Sequence, residues 1–177
     1  MEGRGARLED FLRAIEAAWA GGVTDYSGPY YRIPPSHIEP TPVQRPRPPL
    51  LLGGTAAPSL RRAGRLADGW ISSSRADLST IDRSIDVVRR AAEEAGRDPA
   101  TLRFVCRAVA KVRRGERAPL TGSLTQIRED LAGLALRGVT EAFIDLNFDP
   151  MVASPDVDPS AAFGHALSVL EALAPHA

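Results

Sequence analysis

A single cysteine, Cys106, is all the thiol chemistry in this 177-residue chain. One thiol excludes an internal disulfide, and no cysteine–histidine spacing suits zinc. Charge of one sign is not in excess either, with 22 basic and 22 acidic residues. The basic footprint of a nucleic-acid binder is therefore missing. No apolar run approaches the roughly 20 residues of a membrane-spanning helix. The N-terminus, MEGRGARLEDF, has no apolar signal core, so a cytoplasmic location is expected and no membrane partner. Lysine and asparagine are scarce while arginine, alanine and proline are plentiful, a bias of GC-rich coding rather than of function. A G-x-S-x-G elbow, a G-x-x-x-x-G-K-[ST] loop and an H-E-x-x-H pair are all absent.

What is present centres on residues 50–74, LLLGGTAAPSLRRAGRLADGWISSS. Three leucines run into Gly53-Gly54-Thr55, and a short helix follows. Leu60, Ala63, Gly64 and Ala67 give that helix a narrow face of small residues, and Pro58 suits its first turn. Asp68-Gly69 turns the chain into Trp70-Ile71, which ends in Ser72-Ser73-Ser74. This is a strand–turn–helix–strand unit of nearly minimal length. A glycine pair lets the backbone approach a ligand, and the unpaired N–H groups of a helix start sit at its positive end. Together they suit an anion such as phosphate, with Thr55 adding a hydroxyl. The same turn can equally close the unit and bind nothing.

Leu8, Phe11, Leu12, Ile15 and Trp19 keep helical spacing, so residues 8–20 read as an amphipathic helix ended by Gly21-Gly22. Residues 23–49 hold eight of the fifteen prolines. That density argues for a long surface loop, with Tyr26, Tyr30 and Tyr31 packing on the body. His37, in that loop, has no companion at ligand spacing. Asp77 or Ser79 caps a helix carrying Ile81, Ile85, Val88, Ala92 and Ala95, stopped by Gly96. Residues 102–112 read as one strand with Phe104, Cys106 and Ala108 inward. After a charged turn over 113–117, Ser123 and Gln126 form a capping box. The helix behind it carries Ile127, Leu131 and Leu134 and runs to Gly138. Residues 142–146 form the next strand. The last helix turns Phe163, Leu167, Leu170 and Ala174 to the core and His165 to solvent. Asp145 lies mid-strand, with Arg107 on the neighbouring strand as its partner. A structural ion pair is the favoured role for the two. Four strands alternating with helices indicate a parallel α/β fold in a single domain spanning residues 1–177.

Four strings carry a resemblance. They are RGARLEDFLRAIEAAWAGG, PTPVQRPRPPLLLGGTAAPSLRRAGRLADGWI and, later, EEAGRDPATLRF with LTQIREDLAGLALRGVTEAFIDL. This pattern resembles the luciferase-like monooxygenase family, in its coenzyme F420-dependent oxidoreductase branch. That family folds as a (β/α)8 TIM barrel, and the chain resembles its C-terminal half. Residues 8–20 then correspond to the fourth helix, and 50–52, 70–72, 102–112 and 142–146 to strands five to eight. The resemblance implies an oxidoreductase that uses reduced F420 for hydride transfer to a small organic substrate. An FMN-dependent monooxygenase is the alternative, and a non-catalytic half-barrel that serves binding or assembly is another. It also implies that Gly53, Gly54 and Thr55 hold the cofactor's phosphate tail, with Ser72 and Ser73 flanking the pocket. No metal is implied and no catalytic residue is named. The implied partners are a second copy, or an N-terminal half-barrel that supplies the other four strands.

Overall fold

The computed structural model describes residues 3–113 and 115–175. Met1, Glu2, His176 and Ala177, at the ends of the expected domain, lie outside the described residues. So does Arg114 of the charged turn.

Helix α1 (Arg4–Trp19) stops one residue before Gly21, which takes a left-handed φ of 83°. Leu12 is buried as the spacing predicts and Ile15 and Trp19 are half-buried, but Leu8 and Phe11 stay exposed, and Asp10 and Ala14 are buried in their place. The first correction follows at once. Residues 23–49 are not loop throughout, because β1 (Val23–Ser27) and β2 (Arg32–His37) pair as an antiparallel hairpin. Pro34 and Pro35 lie inside β2 and have no N–H to donate. They are tolerated because the register shifts between Thr24 and Tyr26, so that Ser36 and Ile33 pair with these two across the ribbon and the prolines between them are skipped. The hairpin's turn is fixed from outside by the Asp10 carboxylate, which accepts the N–H groups of Tyr30 and Tyr31, both at 2.8 Å. The Tyr26 hydroxyl donates to the same group at 2.5 Å. Residues 38–49 remain irregular, as expected.

β3 (Leu51–Gly53), α2 (Ala57–Leu66) and β4 (Gly69–Ile71) form the compact unit around the glycine turn. Asp77 caps a short 3-10 turn by accepting the Ser79 N–H, and α3 (Ile81–Glu94) continues from it to Gly96 at φ 71°. Next come β5 (Arg103–Val109), β6 (Lys111–Val112) and β7 (Thr121–Gly122). Then α4 (Leu124–Leu136), with the Ser123–Gln126 capping box in place, leads to β8 (Glu141–Asp145), α5 (Pro150–Ala153) and α6 (Pro159–Leu173). The expected strand over 102–112 is interrupted at Ala110, whose N–H makes the last rung of the β5–β8 ladder, to the Asp145 carbonyl at 3.1 Å. Past that point β6 pairs with β7 instead of extending the main sheet.

The main sheet runs β3-β4-β5-β8, all parallel. Trp70, Phe104, Cys106 and Ala108 join Leu60, Ile85, Val88, Ile127, Leu134 and Val169 in one core, which sets the helices on one face. Ala63 and Gly64 on α2 are buried and keep it close to α3. Residues alternate across a strand, so Arg103, Val105, Arg107 and Val109 fall on the opposite face. The last helix departs from expectation. Phe163, Leu167 and Leu170 are 70%, 45% and 45% exposed, and α6 instead buries Val169 with Ala166 and Leu173 against the core. Helix α6 meets α4 and α5, and the larger apolar stripe is left outward.

Candidate functional site

The site expected from the sequence gathers where β3, β4, β5 and β8 end. Gly53 is the last residue of β3, and Gly54 follows with φ 120°, a conformation that favours glycine. A Cβ on Gly54 would lie 2.7 Å from the Ser59 Cβ, so this position is closed to larger residues. The Gly54 carbonyl accepts the Trp70 indole N–H at 2.9 Å, which pins the turn onto β4. Thr55 is exposed and its hydroxyl has no hydrogen bond among the described residues. Ala56 is the N-cap of α2 and offers no side-chain oxygen, so the positive end of the helix is uncapped. The N–H groups of Thr55 and Ala56 likewise find no acceptor among the described residues.

Ser72 and Ser73 follow β4 and have different surroundings. Ser72 is buried; its N–H donates to Val105 O at 3.0 Å, and its hydroxyl oxygen accepts the Arg107 N–H at 2.9 Å. That side chain clasps β4 to β5 and is not open to a ligand. Ser73 is exposed, with its oxygen accepting the Arg75 N–H at 3.3 Å. Gly53, Gly54, Thr55 and Ser73 thus reach solvent at the strand ends, and Ser72 lies beneath them.

On the sheet face away from the helices, two ion pairs cross from β5 to β8. Arg103 meets Glu141 at 2.5 Å, and Arg107 Nε donates to Asp145 Oδ2 at 2.7 Å. The expected Arg107–Asp145 pair is present, although Asp145 ends its strand rather than sitting inside it. Burial alone raises the pKa of the Asp145 carboxyl. The Asn147 N–H at 3.0 Å and the Arg107 guanidinium outweigh burial and hold it below the ordinary value. Cys106 is buried, and desolvation pushes its thiol pKa up, so it is an inert core residue.

Two buried carboxylates escaped the sequence reading. Asp10, described above, anchors the hairpin; a lone Asp between apolar positions of a helix gives no sign of a partner twenty residues away. Asp149 accepts the N–H groups of Met151 at 3.0 Å and Val112 at 3.1 Å. It also faces His165 Nε2 at 3.3 Å. His165 is therefore not solvated but holds α6 to the loop after β8. The Asp149-Pro150 dipeptide, a helix-start signal, was the available clue. Among the described residues no group of three or more histidine, cysteine or acidic side chains could hold a metal ion. No helix is long and apolar enough to cross a membrane.

The pattern of luciferase-like monooxygenases matches residues 1–141. An uncharacterised protein of Mycobacterium tuberculosis is 37% identical over 94 residues, covering 53% of this chain and 31% of that protein. The FMNH2-dependent dimethylsulfone monooxygenase of Pseudomonas putida is 29% identical over 90 residues, 51% of this chain and 24% of that enzyme. Coenzyme F420-dependent tetrahydromethanopterin reductase from Methanopyrus kandleri superposes with a TM-score of 0.71 at 14% identity. That likeness, which is one of fold, covers 95% of this chain and 62% of the reductase. The matched part is thus under a third of either curated relative. The architecture is that of the C-terminal half of a (β/α)8 barrel: four parallel strands with helices on one face.

Proposed function

Because the chain belongs to the luciferase-like monooxygenase family, we propose that it grips the phosphate tail of a flavin-type cofactor within an oxidoreductase. The cofactor is reduced coenzyme F420, and the acceptor of its hydride is a small organic molecule. FMN is the second reading, favoured by the FMNH2-dependent relative. The observation that carries the proposal is the Gly53-Gly54-Thr55 turn, with its uncapped helix start and acceptor-free N–H groups. A side chain at Gly54 has no room, and the exposed Thr55 hydroxyl supplies a further donor. When bound, the deazaflavin or flavin supplies the redox chemistry. The chain's own part is to hold the phosphate at Gly53, Gly54 and Thr55, with Ser73 at the rim. Ser72 keeps its role one layer down, by fixing the β4–β5 strand ends that carry Ser73.

Completion of the pocket needs a second unit, either a second copy or the other four strands. Two features support this. β3 and β8 are the edges of the sheet among the described residues, and apolar side chains stay exposed elsewhere on the surface: Leu8 and Phe11 on α1, Phe163, Leu167 and Leu170 on α6. The test is fluorescence titration with coenzyme F420 and with FMN. Thr55→Val should weaken binding about 2- to 12-fold, the worth of one neutral hydrogen bond of ~0.5–1.5 kcal/mol. Equal affinity of Thr55→Val and wild type refutes the assignment of the turn.

A further inference from the structure

Past the ends of β4 and β5 the chain encloses a cleft of about 250 Å³. Ser73, Ser74, Arg107, Lys111 and Thr121 line it, and Gly53, Gly54 and Thr55 do not. Lys111 is the single lysine among 22 basic residues, and no ion pair involves it among the described residues. It is the register partner of Thr121 across β6–β7, and both residues line the cleft. The hydroxyls of Ser74 and Thr121 have no hydrogen bond among the described residues. Arg107 is held from behind, since its Nε is bound to the buried Asp145 and its two terminal amino groups are left unbonded. The one acidic residue on the lining is Asp77, and its carboxylate is engaged by the Ser79 N–H at 2.9 Å and the Ser79 hydroxyl at 2.6 Å. Ala76, Leu78, Val109 and Pro119 supply apolar wall.

We propose that this cleft is a receptor for an oxyanion group, a carboxylate or a phosphate, gripped by Lys111 and the Arg107 amino groups and oriented by the Ser74 and Thr121 hydroxyls. A planar guanidinium fixed at one nitrogen presents the remaining two as a ready fork for two oxygens. An apolar wall behind such donors displaces water and strengthens each contact. The anion comes either from a substrate or from the far end of a cofactor tail. The assignment rests on Lys111, Arg107, Ser74 and Thr121, none of which the cofactor reading uses, although Ser73, the rim residue of that reading, also lines the cleft.

The test is amide NMR titration of the full chain with inorganic phosphate and, separately, succinate, at ionic strength held constant with sodium chloride. Saturable shifts are expected at Ser74, Lys111 and Thr121. The midpoint should rise at least fivefold in Lys111→Gln and about twofold or more in Thr121→Val, with circular dichroism unchanged. Linear, non-saturating shifts overturn the proposal, as does saturation at the same midpoint in both variants or shifts confined to residues 53–55. Adding coenzyme F420 or FMN then identifies the source. Displacement of phosphate assigns the anion to the cofactor, and simultaneous binding assigns it to a substrate. Phosphate binding at the cleft when the chain, joined to the unit that completes the pocket, binds neither cofactor refutes the cofactor reading alone.

Discussion

Asp145→Asn removes one charge and almost no volume, so it isolates what the Arg107–Asp145 pair contributes. The asparagine can still accept the Asn147 N–H, which bonds Asp145 Oδ1 at 3.0 Å. Its amide nitrogen then faces Arg107 Nε, donor against donor, where Oδ2 stood 2.7 Å away. A hydrogen bond to a charged group contributes about 1.5–3 kcal/mol. The Arg107 side chain is 36% exposed and can rehydrate, while that of Asp145 is 0% exposed and cannot. The two deletions are therefore unequal. Asp145→Asn should cost ~1–1.5 kcal/mol, the low end, because the freed guanidinium finds water. Arg107→Met leaves a buried carboxylate with only its Asn147 contacts and should cost ~2–3 kcal/mol, below the ~3–5 of a fully buried pair. The double variant should cost less than the sum by ~1–2 kcal/mol. Urea unfolding at pH 7 reads all three as midpoint shifts at a common slope. Additivity to within ~0.5 kcal/mol refutes the pair as a stabilising contact, and a larger cost for Asp145→Asn than for Arg107→Met refutes the burial argument. The sign with pH is fixed as well. The folded pKa lies below the ordinary 3.8, so the contribution is complete above that value and is lost as pH falls through the lowered one. Wild type and Asp145→Asn should converge in acid.

Gly28→Ala should detach the hairpin, because a Cβ there would lie 1.9 Å from Asp10 Oδ1; hydrogen exchange at Tyr30 and Tyr31 should rise sharply, and unchanged protection refutes the anchoring role. Leu167→Lys on the exposed α6 stripe should shift the chain toward monomer in sedimentation while leaving its fold intact. A wild-type chain that already sediments as a single monomer removes the need for a second unit.

Local signals were sufficient for much of this molecule. The Ser123–Gln126 box, the stops at Gly21, Gly96 and Gly138, and the Gly53-Gly54 turn each depend on residues a few places apart, and each formed where expected. The buried face of β5 also followed, since alternation along a strand is a local rule. The family resemblance was equally legible, because it is a property of the string. What the sequence could not decide depended on partners distant in the chain. Proline density in 23–49 argued against strands until Asp10 supplied the acceptors that hold the hairpin turn. The spacing of Phe163, Leu167 and Leu170 defines a face but not what that face meets, and here it meets solvent. That the Ser72 hydroxyl meets the Arg107 N–H while Ser73 faces solvent is likewise set by pleat and register, not by the run of serines. The cleft around Lys111 required β5 to end at Val109 and β6 to pair with β7, a strand ten residues further along the chain. Periodicity and capping are short-range and readable in one dimension. Burial of a charge, the exposure of a stripe and the convergence of donors on one cleft depend on which surfaces the folded chain brings together.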